Sequence, residues 1–527
     1  MRFFPDVEPL EHRYWLYPTR TQDIVVRFAP SPTGFLHIWH IYTALVNYLY
    51  SLQSPNSAFI LRIEDTDSKR FVEWSIDQII STLEVFWFTV TENMILWWNY
   101  GPYIQSQRTD IYASFAADLV NNDHAYLCFL SEQEIQDIRT QQEQRWLVPW
   151  IYAWYSPRRD ASDEKIQAAL ANSIPHVIRW KSKRKNEKVT VNDIIKWECI
   201  VWARETDSVL IKADGIPVYH LAAMVDDNLM WVTHVIRSDE RFASVPLHQD
   251  LYDAWWKTPP ARMHISPLMK IDDGKRRKLS KRHDPEANVY ELLSQWFPPT
   301  WLIHFLCTII DSRFEQRNIW KKSYTDFEFN FDAMSPSGAV VDMAKVYNIC
   351  QHYFYELTSE EIYDQTIQWI DNHASDYQWF FDNKEYFVRV INIERDTIDP
   401  KRFSTYRDCL EHMKLFHDEL YNRDHESNLN AIDAQEFSDE YGKHFDLSVS
   451  KEERFAQLKM VGKKLWYAET NAEYKTWTYK WKVWDCAMFL RIALFGSTKT
   501  PDLYESMCIL WKQKVLDRLH TYVGKIS

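Results

Sequence analysis

Two histidines stand three residues apart, His37 and His40, directly after the turn-rich run Pro30-Ser31-Pro32-Thr33-Gly34. On a helix, that spacing puts both imidazoles on one face. At a helix start they would lie beside unsatisfied N–H groups and a partial positive charge, which together bind phosphate. Ordinary surface histidines, or half of a metal site, would show the same spacing. A second candidate is KLSKR at 278–282, preceded by Asp273-Gly274-Lys275. Lys278, Lys281 and Arg282 could stabilise a polyphosphate whose charge grows in a transition state. A basic run of this kind is more often a solvated loop. The third is Glu64-Asp65-Thr66-Asp67. It could bind an amine or a metal, or it could cap a helix.

The elements that must position these groups are legible. Residues 24–28 (IVVRF) read as a strand running into the Pro-rich loop. Residues 37–50 then read as a helix, with Ile38, Ile41, Ala44, Leu45 and Tyr48 at helical spacing. Residues 59–63 (FILRI) form a second buried-type strand, and a helix follows over 72–86. Strand, helix and strand in this order imply a parallel α/β sheet, with functional residues at the carboxyl ends of its strands. Residues 131–145 are polar and helical, 179–188 (RWKSKRKNEK) are a basic cluster, and 208–211 and 218–225 read as strand and helix. From about 325 the pattern turns helical, with helices over 359–370, 401–420, 451–470 and 503–523.

Taken together, RFAPSPTGFLHIWH at 27–40, RIEDTD at 62–67 and KLSKR at 278–282 carry a specific resemblance. Their order and spacing resemble the glutamyl-tRNA synthetases, class I enzymes whose two signatures usually read HIGH and KMSKS. GPYIQSQR at 101–108, DGIPVYHLAAMVDD at 214–227 and HVIR at 234–237 fill the gaps. The resemblance is dense over about 24–350, weaker beyond, and returns at 490–496 (LRIALFG). SPTG and EDTD depart from the PEPNG-type loop and DDTN-type run of the glutaminyl branch.

The resemblance implies an α/β class I synthetase: a Rossmann-type catalytic domain with an inserted acceptor-binding domain, then a mainly α-helical anticodon-binding domain. The boundaries implied are an N-terminal extension over 1–23 and a catalytic domain over 24–330. Within the latter lie the insertion at about 113–210 and the KLSKR-bearing junction at about 240–330, and the helical domain spans 331–527. It implies ATP with magnesium as cosubstrate, and L-glutamate and tRNA(Glu) as partners. His37, His40, Lys278, Lys281 and Arg282 are implied to hold ATP, with His37, His40 and Lys281 catalytic. Arg27, Ser31, Glu64, Tyr219 and Arg237 are implied to hold glutamate. Many relatives begin a zinc site with Cys-x-Cys. Here Cys128-Phe129-Leu130 keeps one cysteine, so a four-ligand site is not expected, and neither is zinc. A monomer in the cytoplasm is expected. If glutamine tRNA is charged as well, an amidotransferase partner follows.

Composition agrees with these expectations and adds an anomaly. The chain has 527 residues, enough for three or four domains at roughly 100–200 residues each. Seven scattered cysteines suggest a reducing compartment without disulfides. The first 23 residues lack a signal peptide's apolar core, and no apolar run approaches the roughly 18 residues of a spanning helix. A net charge of −13 excludes a generally basic nucleic-acid coat but not a local basic groove.

The anomaly is nine glycines against 25 tryptophans, where usage of about 7% would give about 37 glycines. The resembling family has glycine at or near ten of the tryptophans: Trp39, Trp87, Trp97, Trp98, Trp154, Trp197, Trp231, Trp256, Trp296 and Trp511. Drift does not replace the smallest side chain with the largest ten times while sparing the flanking motifs. Deficit and excess read as one fact: UGA codons that specify glycine, translated as tryptophan. A genuine Trp39 would instead fill the adenine site and leave an inactive RNA-binding paralogue. Trp180 reads as genuine.

Overall fold

The computed structural model describes residues 3–526 apart from 97–98, 158, 204, 281–282, 285–286, 296, 317–323, 374–376, 378–382, 396–402, 423 and 477. The chain begins with α1 (Leu10–Trp15), β1 (Ile24–Phe28), α2 (Ile38–Ser51), β2 (Ser57–Leu61), α3 (Ser75–Val85) and α4 (Thr109–Asn121). An insertion follows, containing β3 (Ala125–Cys128), α5 (Glu132–Gln144), α6 (Asp163–Ala171), β4 (Val177–Trp180), β5 (Glu187–Asp193), β6 (Trp197–Ala203) and β7 (Val209–Ile211). The first layer then resumes with α7 (Tyr219–Leu229), β8 (His234–Ser238), α8 (Val245–Ala254) and β9 (Ala261–Ile265), and continues to β10 (Leu268–Asp272) and β11 (Lys275–Lys278).

β1 pairs with β2, and β8 with β9, both in parallel. β1 and β8 meet where the Thr233 N–H donates to the Val25 carbonyl at 2.9 Å and the Val25 N–H donates to Thr233 Oγ1 at 2.8 Å. The order is therefore β2-β1-β8-β9, and the chain reverses direction of growth between β1 and β8. In open α/β sheets ligands bind at that reversal, outside the carboxyl ends of the strands. Val25, Val26, Phe59 and Ile60 are all buried, as a parallel sheet covered on both faces requires. The N-terminal segment joins this core: Phe3 and Tyr17 pack with Tyr112, Phe115 and Leu221, and Arg20 grips Glu92 with two bonds of 2.6 and 2.7 Å.

By its contacts the chain forms two compact units, residues 1–292 with 302–342, and residues 293–301 with 343–527. The second is helical around a core that includes Phe387, Leu410, Phe437, Phe489 and Leu519. Three of its helices differ from the sequence reading. The span 503–523 is two helices, Leu503–Leu510 and Lys512–Ile526, broken at Trp511 with φ 56° and ψ 161°. Essentially only glycine adopts that combination. The span 451–470 stops as Lys451–Lys464 because Trp466 turns left-handed, with φ 60°. The span 401–420 narrows to Tyr406–Lys414.

Trp466 and Trp511 belong to a larger set. Among the described residues, twelve besides glycine have positive φ, and seven of these are tryptophan: Trp87, Trp146, Trp197, Trp231, Trp256, Trp466 and Trp511. For a bulky residue this region is a steric outlier.

Candidate active site

Arg27 lies near the end of β1 and Arg237 near the end of β8, the two strands flanking the reversal. With Ser31, His37, Trp39, His40, Glu64, Tyr219 and Lys278 they line one pocket of about 570 Å³. Eight of the ten implied ligand residues thus meet in one place. The other two, Lys281 and Arg282, lie outside the described residues.

The histidine pair caps α2. His37 is the residue before the helix, and its Nδ1 accepts the Trp39 N–H at 2.9 Å. His40 Nδ1 accepts the His37 N–H at 3.0 Å. Two imidazoles thereby do the work of a Ser/Glu capping box. Because each Nδ1 accepts, each neutral ring carries its proton on Nε2. Both histidines are thus fixed in rotamer and tautomer at a helix N-terminus, where an anion is favoured. The Trp39 indole also faces this pocket, tilted against Tyr42 with 5.5 Å between ring centres.

The cations are set in a buried network. Arg27 Nε donates to Asp227 Oδ1 at 3.0 Å and Nη1 to the Ile236 carbonyl at 3.2 Å. Arg62 joins Asp227 at 2.8 Å to Glu64 at 3.0 Å. Burial raises the Glu64 carboxyl above its ordinary value, while Arg62 and Arg27 pull it back. Arg108 Nε holds the neighbouring Asp226 at 2.7 Å, assisted by Tyr112 and Gln105. Burial favours the neutral form of Asp227, but Arg27 and Arg62 outweigh it and keep the carboxyl below its ordinary value. Arg237 Nη1 donates to the Tyr219 hydroxyl at 3.1 Å. Lys278 is paired with Glu240.

Comparison with known proteins fits this geometry. The family profile described as tRNA synthetases class I (E and Q), catalytic domain, matches residues 23–348, and an anticodon binding domain matches 467–523. A glutamate–tRNA ligase of Clostridium perfringens (strain 13 / Type A) is 34% identical, covering 98% of each chain. One of Acetivibrio thermocellus is 34% identical over 94% of this chain and 93% of the relative. The chain belongs to the glutamate–tRNA ligase family. Among solved structures, a glutamate tRNA ligase from Elizabethkingia meningosepticum, in complex with its amino acid, aligns with a TM-score of 0.75 at 27% identity, covering 96% of this chain and all of that one.

Set beside the family signatures, several residues matter that the sequence reading passed over. Asp284 is fully buried and accepts from Arg277 at 2.6 and 2.7 Å, from Lys270 at 3.1 Å and from the Ser280 N–H at 2.9 Å. It ties Ser280 to β10 and β11. The Arg277 hydrogen bonds hold its carboxyl well below the usual range, against burial. Its only signal was an acid just downstream of a basic run. Asp226 and Asp227 were visible as an acid pair inside an apolar helix, HLAAMVDDNLM.

The basic cluster 179–188 proves less available than its composition suggests. Lys181 is paired with Asp123 and Asp160, and Arg184 with Asp250 and Glu187. Arg179 donates to the Asp207 carbonyl. Lys183, Lys185 and Lys188 are left as its outward charge. Cys128 is buried in β3, and among the described residues no three His, Cys, Asp or Glu groups are placed to hold a metal.

Proposed function

We propose that this chain activates L-glutamate with ATP and transfers it to tRNA(Glu), acting as a monomer in the cytoplasm. One observation supports this above others: the implied glutamate and ATP residues line a single pocket at the strand reversal. In the first step the glutamate α-carboxylate attacks the α-phosphorus of ATP, and pyrophosphate leaves. In the second the terminal adenosine hydroxyl of the tRNA attacks the acyl carbon, and AMP leaves. Magnesium accompanies ATP on its phosphate oxygens.

The protein's part is positioning and charge. The Nε2–H groups of His37 and His40 donate to ATP phosphate and ribose. Lys278 and Lys281, with Arg282, meet the charge that develops on the departing pyrophosphate. Arg27 retains Nη2 for the substrate side-chain carboxylate after Asp227 and the Ile236 carbonyl take its Nε and Nη1. Glu64 accepts from the α-ammonium, and Ser31, Tyr219 and Arg237 complete the cradle. A site that pairs a carboxylate rejects glutamine, which would leave the arginine unpaired. ATP–pyrophosphate exchange with glutamate, glutamine and tRNA tests the proposal. Exchange with glutamate and none with glutamine is expected; no exchange in a folded chain carrying glycine at position 39 overturns it.

A further inference from the structure

Behind Arg237 lies a chain of bonds reaching into the insertion. Arg237 Nε donates to His264 Nε2 at 3.0 Å, and His264 Nδ1 meets Asp193 Oδ2 at 2.6 Å. Arg237 and His264 are directly opposed in the β8–β9 register. Asp193 closes β5, and its carboxylate also accepts the backbone N–H groups of Ile195, Lys196 and His264. Both His264 and Asp193 are buried. An arginine Nε always donates, so His264 Nε2 must accept, and the ring proton must sit on Nδ1 facing Asp193. The Asp193 carboxylate permits only that tautomer.

We infer that Asp193 and His264 are positioning residues that fix the Arg237 guanidinium in the glutamate pocket, so that the insertion helps set amino-acid affinity. This rests on the reading that Arg237 contacts glutamate. In Asp193→Asn the amide can donate to Nδ1, inverting the tautomer and setting Nε2–H against Nε–H of Arg237. In His264→Gln a side-chain oxygen can still accept, which should restore part of the function. The test is exchange kinetics on the full chain with tRNA present. Asp193→Asn should raise KM for glutamate about tenfold, as expected for one lost buried hydrogen bond. KM for ATP should stay within about twofold, and His264→Gln should fall between wild type and Asp193→Asn. An unchanged glutamate KM, or glutamate and ATP KM rising in step, overturns the inference. Arg237→Ala is the control: if it leaves glutamate KM unchanged, the pocket reading fails instead.

A separate observation concerns the tryptophans. Five left-handed ones end helices in the same way. The N–H groups of Trp87, Trp146, Trp231, Trp256 and Trp466 donate to Glu84, Glu143, Asn228, Asp253 and Lys463 carbonyls at 2.9–3.1 Å. The next N–H groups, of Phe88, Leu147, Val232, Lys257 and Tyr467, donate to Leu83, Gln142, Asp227, Tyr252 and Gly462 carbonyls at 2.9–3.0 Å. That pair of bonds is the Schellman ending, whose left-handed residue is usually glycine. Trp197 takes the left-handed place at the foot of the β5–β6 hairpin, and Trp511 the glycine-only region. All seven indoles are exposed, Trp146 at 97% and Trp256 at 94%, whereas Trp180, Trp255 and Trp301 are buried.

The geometry points to glycine at all seven positions in the native polypeptide. Trp146 and Trp466 are the new members, since no motif singled them out. Peptide mass spectrometry of the protein from its native source decides it. Glycine is expected at 87, 146, 197, 231, 256, 466 and 511, with tryptophan at 180, 255 and 301. Tryptophan at any of the seven, or glycine at any of the three, overturns this assignment.

Discussion

Arg27 and Asp227, 200 residues apart in the chain, are paired at 3.0 Å at the pocket that Arg27 lines, both closed to solvent. Asp227 also holds Arg62 at 2.8 Å, so two buried guanidinium groups share this carboxylate, and Glu64 adds a second negative charge on Arg62. Removing one partner of a buried pair costs about 3–5 kcal/mol, because the other is stranded without solvent. Asp227→Ala should lower the free energy of unfolding of the catalytic unit by that order, read from urea denaturation. A loss below about 1 kcal/mol would show that water relaxes into the gap. Arg27→Ala differs, since Asp227 keeps Arg62. It should leave the fold in place and reduce glutamate-dependent exchange by about 100-fold or more, the weight of charge-assisted hydrogen bonds lost from a buried carboxylate.

Asp284 offers a prediction about the second signature. It gathers Arg277, Lys270 and the Ser280 N–H, and so holds the backbone on both sides of Lys278. Asp284→Ala should lower kcat for exchange about tenfold while leaving glutamate KM unchanged, because a misplaced charge weakens only the transition state. A variant with normal kcat would remove Asp284 from that role.

Much of this site could be read from the sequence because its motifs are local. His37 and His40 share one helix turn, and Glu64 comes three residues after the end of β2. The supports could not be read that way. Asp193 and His264 lie 71 residues apart and meet only because β5 of the insertion is carried to β9. Asp227 reaches Arg27 only through the β1–β8 adjacency. The ends of the C-terminal helices were hidden for another reason. Trp466 and Trp511 look tolerable in a helical pattern, and only their φ angles of 60° and 56° reveal what the backbone does there. The charge of 179–188 misled because composition does not show Asp123, Asp160 and Asp250 opposite it.

A left-handed tryptophan also makes a stability prediction. Trp146 is nearly fully exposed, so replacing its indole with hydrogen removes little packing. The backbone strain relieved is roughly 1–2 kcal/mol. Trp146→Gly should therefore stabilise the chain by about 1 kcal/mol, where a Gly substitution in a helix interior would destabilise it by a similar amount. Trp255→Gly, which empties a buried site against Phe115, should cost about 3–5 kcal/mol. Thermal unfolding of the two variants should move in opposite directions, and a shared direction would refute the contrast.

Acid should weaken the catalytic unit through its buried histidines. His220 is pushed down to about 4 by burial and by the nearby Arg241 and Arg237. His248 and His264 are shifted the same way, first by burial. In the unfolded chain these rings titrate near about 6.5. Between those values the unfolded chain binds protons that the folded chain refuses, so stability rises with pH from about 4 to 6.5 and is flat above. The urea midpoint should fall from pH 7 to pH 5, and fall less in His220→Gln. Equal midpoints at the two pH values would show that these rings accept protons without cost.

Transfer RNA affinity should depend on only part of the basic cluster. Each phosphate neutralised by a lysine releases counterions, steepening the salt dependence by about one unit of log K per log salt. Lys181 and Arg184 are already paired with acids and would have to break those contacts to reach phosphate. Lys185 carries no ion pair among the described residues, and Lys183 approaches only His124, at 3.5 Å. Lys183→Ala with Lys185→Ala should reduce the salt slope of tRNA(Glu) binding by about two, read by fluorescence anisotropy over a salt series. Arg184→Ala should leave the slope unchanged, since the charge it removes is one Asp250 already cancels. A slope that responds to Arg184 and ignores the two lysines would reverse the assignment and put the RNA on the other face of the cluster.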